Sequence, residues 1–214
     1  DRVGKELKQA GYYQPHAMQN LNAIRFALAF IAFIGIGTML LIAPKNAEPY
    51  LMGAAVLVPI VAHDQGATLL LTERSKTLKD HAGQIAFPGG KIDALDQDAR
   101  AAALREAEEE IGLHQNFVED LGYLDPYLSS TGYRIIPLVA IVTPGFSLTL
   151  DPREVESTFE VPFEFLMNPA HHEIHEREWR GAQRRYFAMP YEERYIWGVT
   201  AGIIRSLYER LYAP

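Results

Sequence analysis

The residues best placed to do chemistry are three glutamates, Glu106, Glu109 and Glu110, in the stretch ALREAEEEIGL (103–113). On a helix, residues three and four apart share a face. With Glu106 at zero, Glu109 lies about 60° to one side and Glu110 about 40° to the other, at ~100° per residue. Three carboxylates therefore converge within one arc, while Glu108 points away. Carboxylates held this close repel one another at neutral pH and need a compensating cation. Hard divalent ions such as Mg²⁺ take oxygen ligands and pair with phosphate oxygens. Metal-assisted work on phosphate is the chemistry this cluster suits. Arg105 is one helical turn before Glu109, within reach of an ion pair. By spacing alone, a solvated acidic helix face accounts for the same pattern.

Other residues offer supporting chemistry. Arg74 and Lys79 can present fixed cations to phosphate, with a surface ion pair as the plainer reading of each. Gly89 and Gly90 allow the backbone to approach a ligand closely, or simply make a tight turn. Glu154 and Glu156 fall on a candidate loop, as a late carboxylate or as surface charge. His171, His172 and His175 have a spacing metals can use. The interleaved Glu173, Glu176 and Glu178 favour a polar strand or loop instead. Trp179, Tyr195 and Trp197 can stack on a nucleobase, although core packing is the better reading.

Local elements must hold these groups in place, and from Gly53 onward the pattern is α/β. AAVLVPIVA (54–62) and ATLLLTE (67–73) predict two strands joined by a turn at Asp64, Gln65 and Gly66. GQIAF (83–87) predicts a short strand stopped by Pro88-Gly89-Gly90. A helix is expected from Asp96, as N-cap, to Ile111, with Gly112 as its stop. Ala103, Ala107 and Ile111 give that helix an apolar stripe, with Leu104 beside it. Further strands are expected at 118–124, 134–143, 172–179 and 184–189. A last helix runs from about Trp197 to Leu211, with Ile203, Ile204, Leu207, Tyr208 and Leu211 on one face.

Composition narrows the classes. With 48% apolar and 22% charged residues, the chain can build a packed core. A net charge of -7 argues against general nucleic-acid binding, which needs clustered Lys and Arg. The absence of cysteine excludes disulfides and thiolate zinc sites. Residues 1–50 differ from 51–214 and are read as an N-terminal extension. No charge interrupts Arg25 to Lys45, and Phe26–Ala43 is at the lower edge of membrane-spanning length. A hydrophobic helix buried on a protein surface and a membrane-associated helix both remain open for residues 26–43. AGYYQPHAMQNLNAIRFALAF (10–30) resembles membrane proteins of bacterial pilus and secretion machinery, which leaves a foreign, appended segment as a further reading.

The stretch GGKIDALDQDARAAALREAEEEIGL (89–113) resembles the Nudix box. In that motif a glycine is followed after five residues by Glu, and seven residues later by Arg-Glu-U-x-Glu-Glu-x-Gly-U, where U is aliphatic. Gly90, Arg105, Glu106, Ala107, Glu109, Glu110, Gly112 and Leu113 match. Asp96 stands where Glu is usual, and eight residues separate it from Arg105. The resemblance implies an α/β/α sandwich with a mixed sheet, here preceded by the hydrophobic helix, and binding of Mg²⁺ or Mn²⁺. It further implies that Glu106 and Glu110 are metal ligands, that Glu109 is a further ligand or activates water, and that Arg105 supports the catalytic set.

LLTERSKTLKDHAGQIAFPGG (70–90) resembles the signature of the CoA-cleaving branch of that family. Leu70, Leu71, Thr72, Arg74, Ser75, Gly83, Phe87, Pro88, Gly89 and Gly90 match, and Lys79 replaces the usual Arg. This implies a small-molecule substrate, CoA or acyl-CoA, split into 3',5'-ADP and (acyl-)4'-phosphopantetheine by a cytoplasmic domain. Arg74, Lys79, Gly89 and Gly90 would bind that substrate. Two alternatives stay open: hydrolysis of another nucleoside diphosphate derivative such as ADP-ribose, and a non-catalytic ligand-sensing module.

Overall fold

The computed structural model describes residues 53–129, 132–179 and 181–212, all within the unit Pro49–Pro214. The expected hydrophobic helix at 26–43, its membrane reading and the extension 1–50 lie outside the described residues.

The expected hairpin is present. β1 (Gly53–His63) pairs antiparallel with β2 (Gly66–Arg74), in register from Ile60↔Leu69 to His63↔Gly66. β1 also runs parallel to β7 (Arg134–Val142), and β5 (Val118–Tyr123) closes that side antiparallel to β7. The short β6 (Tyr127–Leu128) pairs with the start of β7. The sheet is therefore mixed. At its other end the chain is splayed: β3 (Ile85–Ala86) pairs with the end of β2, and β4 (Gly89–Lys91) with the start of β1.

Side-chain parity along β1 sorts the molecule into two cores. Ala55, Leu57 and Val61 join a cluster with Ala102, Ala103, Ala107 and Ile111 of α1 (Ala99–Ile111). Val58 and Ile60 join the opposite cluster with Ile203, Ile204 and Leu207 of α3 (Val199–Tyr212). Alternation on a strand sends successive residues to opposite faces, so a continuous apolar run is what a sheet covered on both sides requires. The result is the expected three-layer α/β/α arrangement. Ala102, Ala103 and Ala107 of α1 are fully buried, and their small side chains let the helix lie close against the sheet.

Four expectations are corrected. Asp96 is not the N-cap: Asp98 has the extended backbone of a cap, and its carboxylate accepts from the Ala101 N–H at 2.8 Å. Glu156, expected on a loop with Glu154, lies instead in β8 (Val155–Pro162), which pairs with β2. The charged residues Arg153, Glu154, Glu156 and Glu160 in and before that strand hid an alternation that pairing with β2 enforces. Trp197 ends a strand, β11 (Arg194–Trp197), rather than starting the last helix. With β9 (Glu173–Trp179) and β10 (Ala182–Tyr191) it forms a separate three-stranded sheet. Leu211 is 52% exposed, so the apolar face of α3 ends at Leu207 and the half-buried Tyr208. The short α2 (Phe163–Leu166) follows β8. Among the described residues, no helix is long and apolar enough to cross a membrane.

Candidate active site

β4 brings two glycines against α1. Val56 pairs with Gly89 and Ala55 with Gly90. Gly89 has φ +152°, and a Cβ there would lie 2.4 Å from the Ala55 carbonyl oxygen. The missing side chain lets its N–H reach the Glu110 carboxylate, to which it donates at 3.0 Å. At Gly90 an added Cβ would lie 2.4 Å from Glu106 Cδ. The two glycines therefore form a cradle for two carboxylates, and Gly112, with φ +70°, stops the helix as expected.

Arg105 organises the outer side of the cluster. Its Nε and Nη2 donate to the two oxygens of Asp96 at 3.0 and 2.9 Å, and Nη2 also donates to the Lys91 carbonyl at 3.1 Å. Its Nη1 donates to Glu106 at 3.1 Å and to Glu109 at 2.9 Å. Asp96 also accepts from the Asp93 N–H at 2.8 Å, and its side chain is 6% exposed.

Of the three expected glutamates, Glu106 and Glu110 come together beside the glycines. Glu109 is turned to Arg105, with its side chain 61% exposed. Glu108 is exposed, away from the pair. Among the described residues, no three Asp, Glu, His or Cys side chains already converge on a single point.

The pair is electrostatically uncomfortable. Burial pushes Glu110 up to about 7; the Gly89 N–H opposes this, and the charge of Glu106 adds to it. Glu106 is also raised, by burial first, with Arg105 pulling it down. Arg74, at the end of β2, lowers Glu110 through its charge. The Arg74 Nε is buried and has no hydrogen-bond partner. Glu154 contributes to both upward shifts, so its charge faces the pair. Backbone bonds put it there: the Glu154 carbonyl accepts from the Ser75 N–H at 2.8 Å, and the Asp151 N–H donates to the Glu110 carbonyl at 2.9 Å. In the sequence Glu154 reads as surface charge, since no local pattern ties it to residues more than forty positions away. An all-oxygen donor set, buried, charged and built against two glycines, fits a hard divalent cation.

The remaining candidates disperse. Lys79 is exposed on the loop between Ser75 and Gln84, whose base is closed by Arg74 N–H to Gln84 and Gly83 N–H to Arg74, both at 3.0 Å. His171 stacks on Phe165 with ring centroids 3.9 Å apart, and His172 bonds the Leu166 carbonyl at 2.7 Å. His175 bonds Glu173 at 2.7 Å and accepts from the Tyr195 hydroxyl at 2.7 Å. Tyr195 and Trp197 share one face of the small sheet with Tyr186.

The family model of the NUDIX domain matches residues 51–185. The chain belongs to the Nudix family. It is 43% identical over 168 residues to an uncharacterized Nudix hydrolase, NudL, of Photorhabdus laumondii, covering 78% of this chain and 89% of that one. It is 45% identical over 154 residues to NudL of Escherichia coli K12, covering 72% and 80%. Among solved structures, the NUDIX domain of Shewanella oneidensis NrtR, complexed with ADP ribose, is similar over 82% of this chain and 97% of that one. The identity there is 17% and the TM-score 0.49. This Nudix hydrolase is thus a diphosphatase acting on nucleoside diphosphate derivatives, and Nudix hydrolases use divalent ions such as Mg²⁺ or Mn²⁺.

Proposed function

We propose that this Nudix hydrolase splits the diphosphate of coenzyme A or acyl-CoA, giving 3',5'-ADP and (acyl-)4'-phosphopantetheine. The observation that carries this reading is the fold of the CoA-type segment 70–90. Within it, Arg74 and Gly89 both bear on Glu110, and Gly90 lies against Glu106. A segment that only closed a loop would not need a buried arginine Nε without a partner beside the acidic pair.

Glu106 and Glu110 hold Mg²⁺ or Mn²⁺ in this reading. When bound there, such an ion would supply Lewis acidity, lowering the pKa of a water and neutralising charge on the phosphates. Glu109 now gives one oxygen to Arg105; swung back toward Glu106, it would serve as a further ligand or take the proton of that water. Water adds to one phosphorus and the bridging P–O bond breaks, leaving a phosphate on each product. Arg74 and Lys79 meet the substrate's phosphates, Arg74 with a planar fork and Lys79 as a point charge. The Gly89 and Gly90 backbone gives close access. The working domain is residues 51–214, and a CoA substrate places it in the cytoplasm.

The test is direct. Purified protein is incubated with Mn²⁺ or Mg²⁺ and CoA, and products are identified by mass. 3',5'-ADP and 4'-phosphopantetheine are expected. Intact CoA, in a sample that cleaves ADP-ribose, would replace this substrate with the alternative.

A further inference from the structure

The two aspartates before α1 do different work. Asp98 caps the helix, while Asp96 turns back to Arg105 and takes its Nε and Nη2 as a two-point fork. Arg105 has five N–H groups and five acceptors: two oxygens of Asp96, the Lys91 carbonyl, Glu106 and Glu109. Because Asp96 occupies the edge best suited to a bidentate pair, Glu106 receives only a single bond, from Nη1.

We propose that Asp96 is a positioning residue that keeps Arg105 from competing with the divalent cation for Glu106. A guanidinium fork and a divalent ion want the same carboxylate oxygens. Glu106 lies against Gly90 with its side chain 15% exposed, so it has little room to serve both. If the Asp96 charge is removed, the Nε/Nη2 edge loses its carboxylate. Asp93 lies 3.9 Å from Nη2 but its side chain is 69% exposed, so Glu106, 15% exposed and already bonded to Nη1, is the stronger replacement. The arginine then holds Glu106 as a fork, and the cation must displace it. Burial makes this arrangement rigid: the Asp96 carboxylate is nearly inaccessible and is pinned by the Asp93 N–H as well. The shorter aspartate, one residue further from Arg105 than the box has its glutamate, reaches the guanidinium because helix capping is left to Asp98.

This inference rests on cation binding by the family and not on the substrate, so it is tested without CoA. Mn²⁺ affinity of the substrate-free protein is read from the free-Mn²⁺ signal in electron paramagnetic resonance, for wild type, D96N, D98A and D96E. D96N should bind Mn²⁺ at least tenfold more weakly, because Asn keeps the shape but not the charge. D98A should lower the melting temperature by loss of the cap and leave Mn²⁺ affinity within about threefold. Normal Mn²⁺ binding by D96N overturns the proposal. So does equal weakening in D98A, which would make both residues merely structural. Should D96N not fold, D96E decides: it keeps the charge and should bind Mn²⁺ within about threefold of wild type, and a tenfold loss there refutes the proposal.

Discussion

Gly90 and Glu106 are in contact so close that no side chain can grow between them: a Cβ on Gly90 would stand 2.4 Å from Glu106 Cδ. The atoms it meets are the mobile end of a side chain, which can swing away. Gly90→Ala should therefore fold, with a melting temperature near normal, and lose at least tenfold in kcat as Glu106 is displaced. Gly89→Ala differs in kind. It meets the Ala55 backbone and a φ that other residues avoid, and should cost about 2–3 kcal/mol of stability. Urea unfolding and Mn²⁺-dependent turnover, measured on both variants, separate the effects. Equal stability loss in the two would contradict the distinction.

Glu106→Gln and Glu110→Gln should each lower the rate by orders of magnitude, since both carboxylates stand where a cation must neutralise them. Glu108→Gln should leave turnover near normal, because its side chain is exposed away from the pair. Steady-state kinetics at saturating Mn²⁺ check this. Equal loss in all three would sink the assignment.

Glu110 also predicts a pH dependence. Its folded pKa of about 7 lies above the ordinary carboxylate range, so the metal-free folded state binds the extra proton. Stability should fall as pH rises from the carboxylate range through about 7, by on the order of 3 kcal/mol. Glu110→Gln should flatten that fall, and excess Mn²⁺ should reverse it in the wild type. Metal-free melts at pH 5.5 and 8, compared between wild type and Glu110→Gln, give the answer. Parallel curves for the two proteins would refute it.

Arg74→Ala should reduce turnover of CoA more than turnover of dephospho-CoA, if the guanidinium reads the 3'-phosphate. Comparing kcat/KM on the two substrates tests this, and an equal loss would assign Arg74 to the shared diphosphate.

Residues 51–214 alone should be soluble and active, because all the candidate site residues lie between Arg74 and Glu154. Gel filtration and Mn²⁺-dependent CoA hydrolysis of that fragment check the boundary. Aggregation, or a folded but inactive product, would place it elsewhere.

The sequence exposed what local spacing controls. The 54–62 and 67–73 runs became β1 and β2, and the Ala103, Ala107 and Ile111 stripe became the buried face of α1. It did not expose what depends on distant partners. Asp96 and Asp98 are equivalent as cap candidates until Arg105 is seen to claim one of them. β8 was hidden because its pairing partner, β2, lies eighty residues away and carries none of its pattern. Glu109 shares an arc with Glu106 and Glu110 on any helix, yet its ion pair with Arg105 turns it outward.

The alternation in β1 also limits how the chain can change in length. Ala55, Leu57 and Val61 serve one core, and Val58 and Ile60 the other. A substitution there disturbs one contact, but a single-residue deletion would exchange the two sets for every position beyond it. It would also shift the parallel register with β7. Gaps between relatives should therefore avoid β1 and gather at the Asp64-Gln65 turn, where the side chains are exposed and an added residue lengthens only a loop.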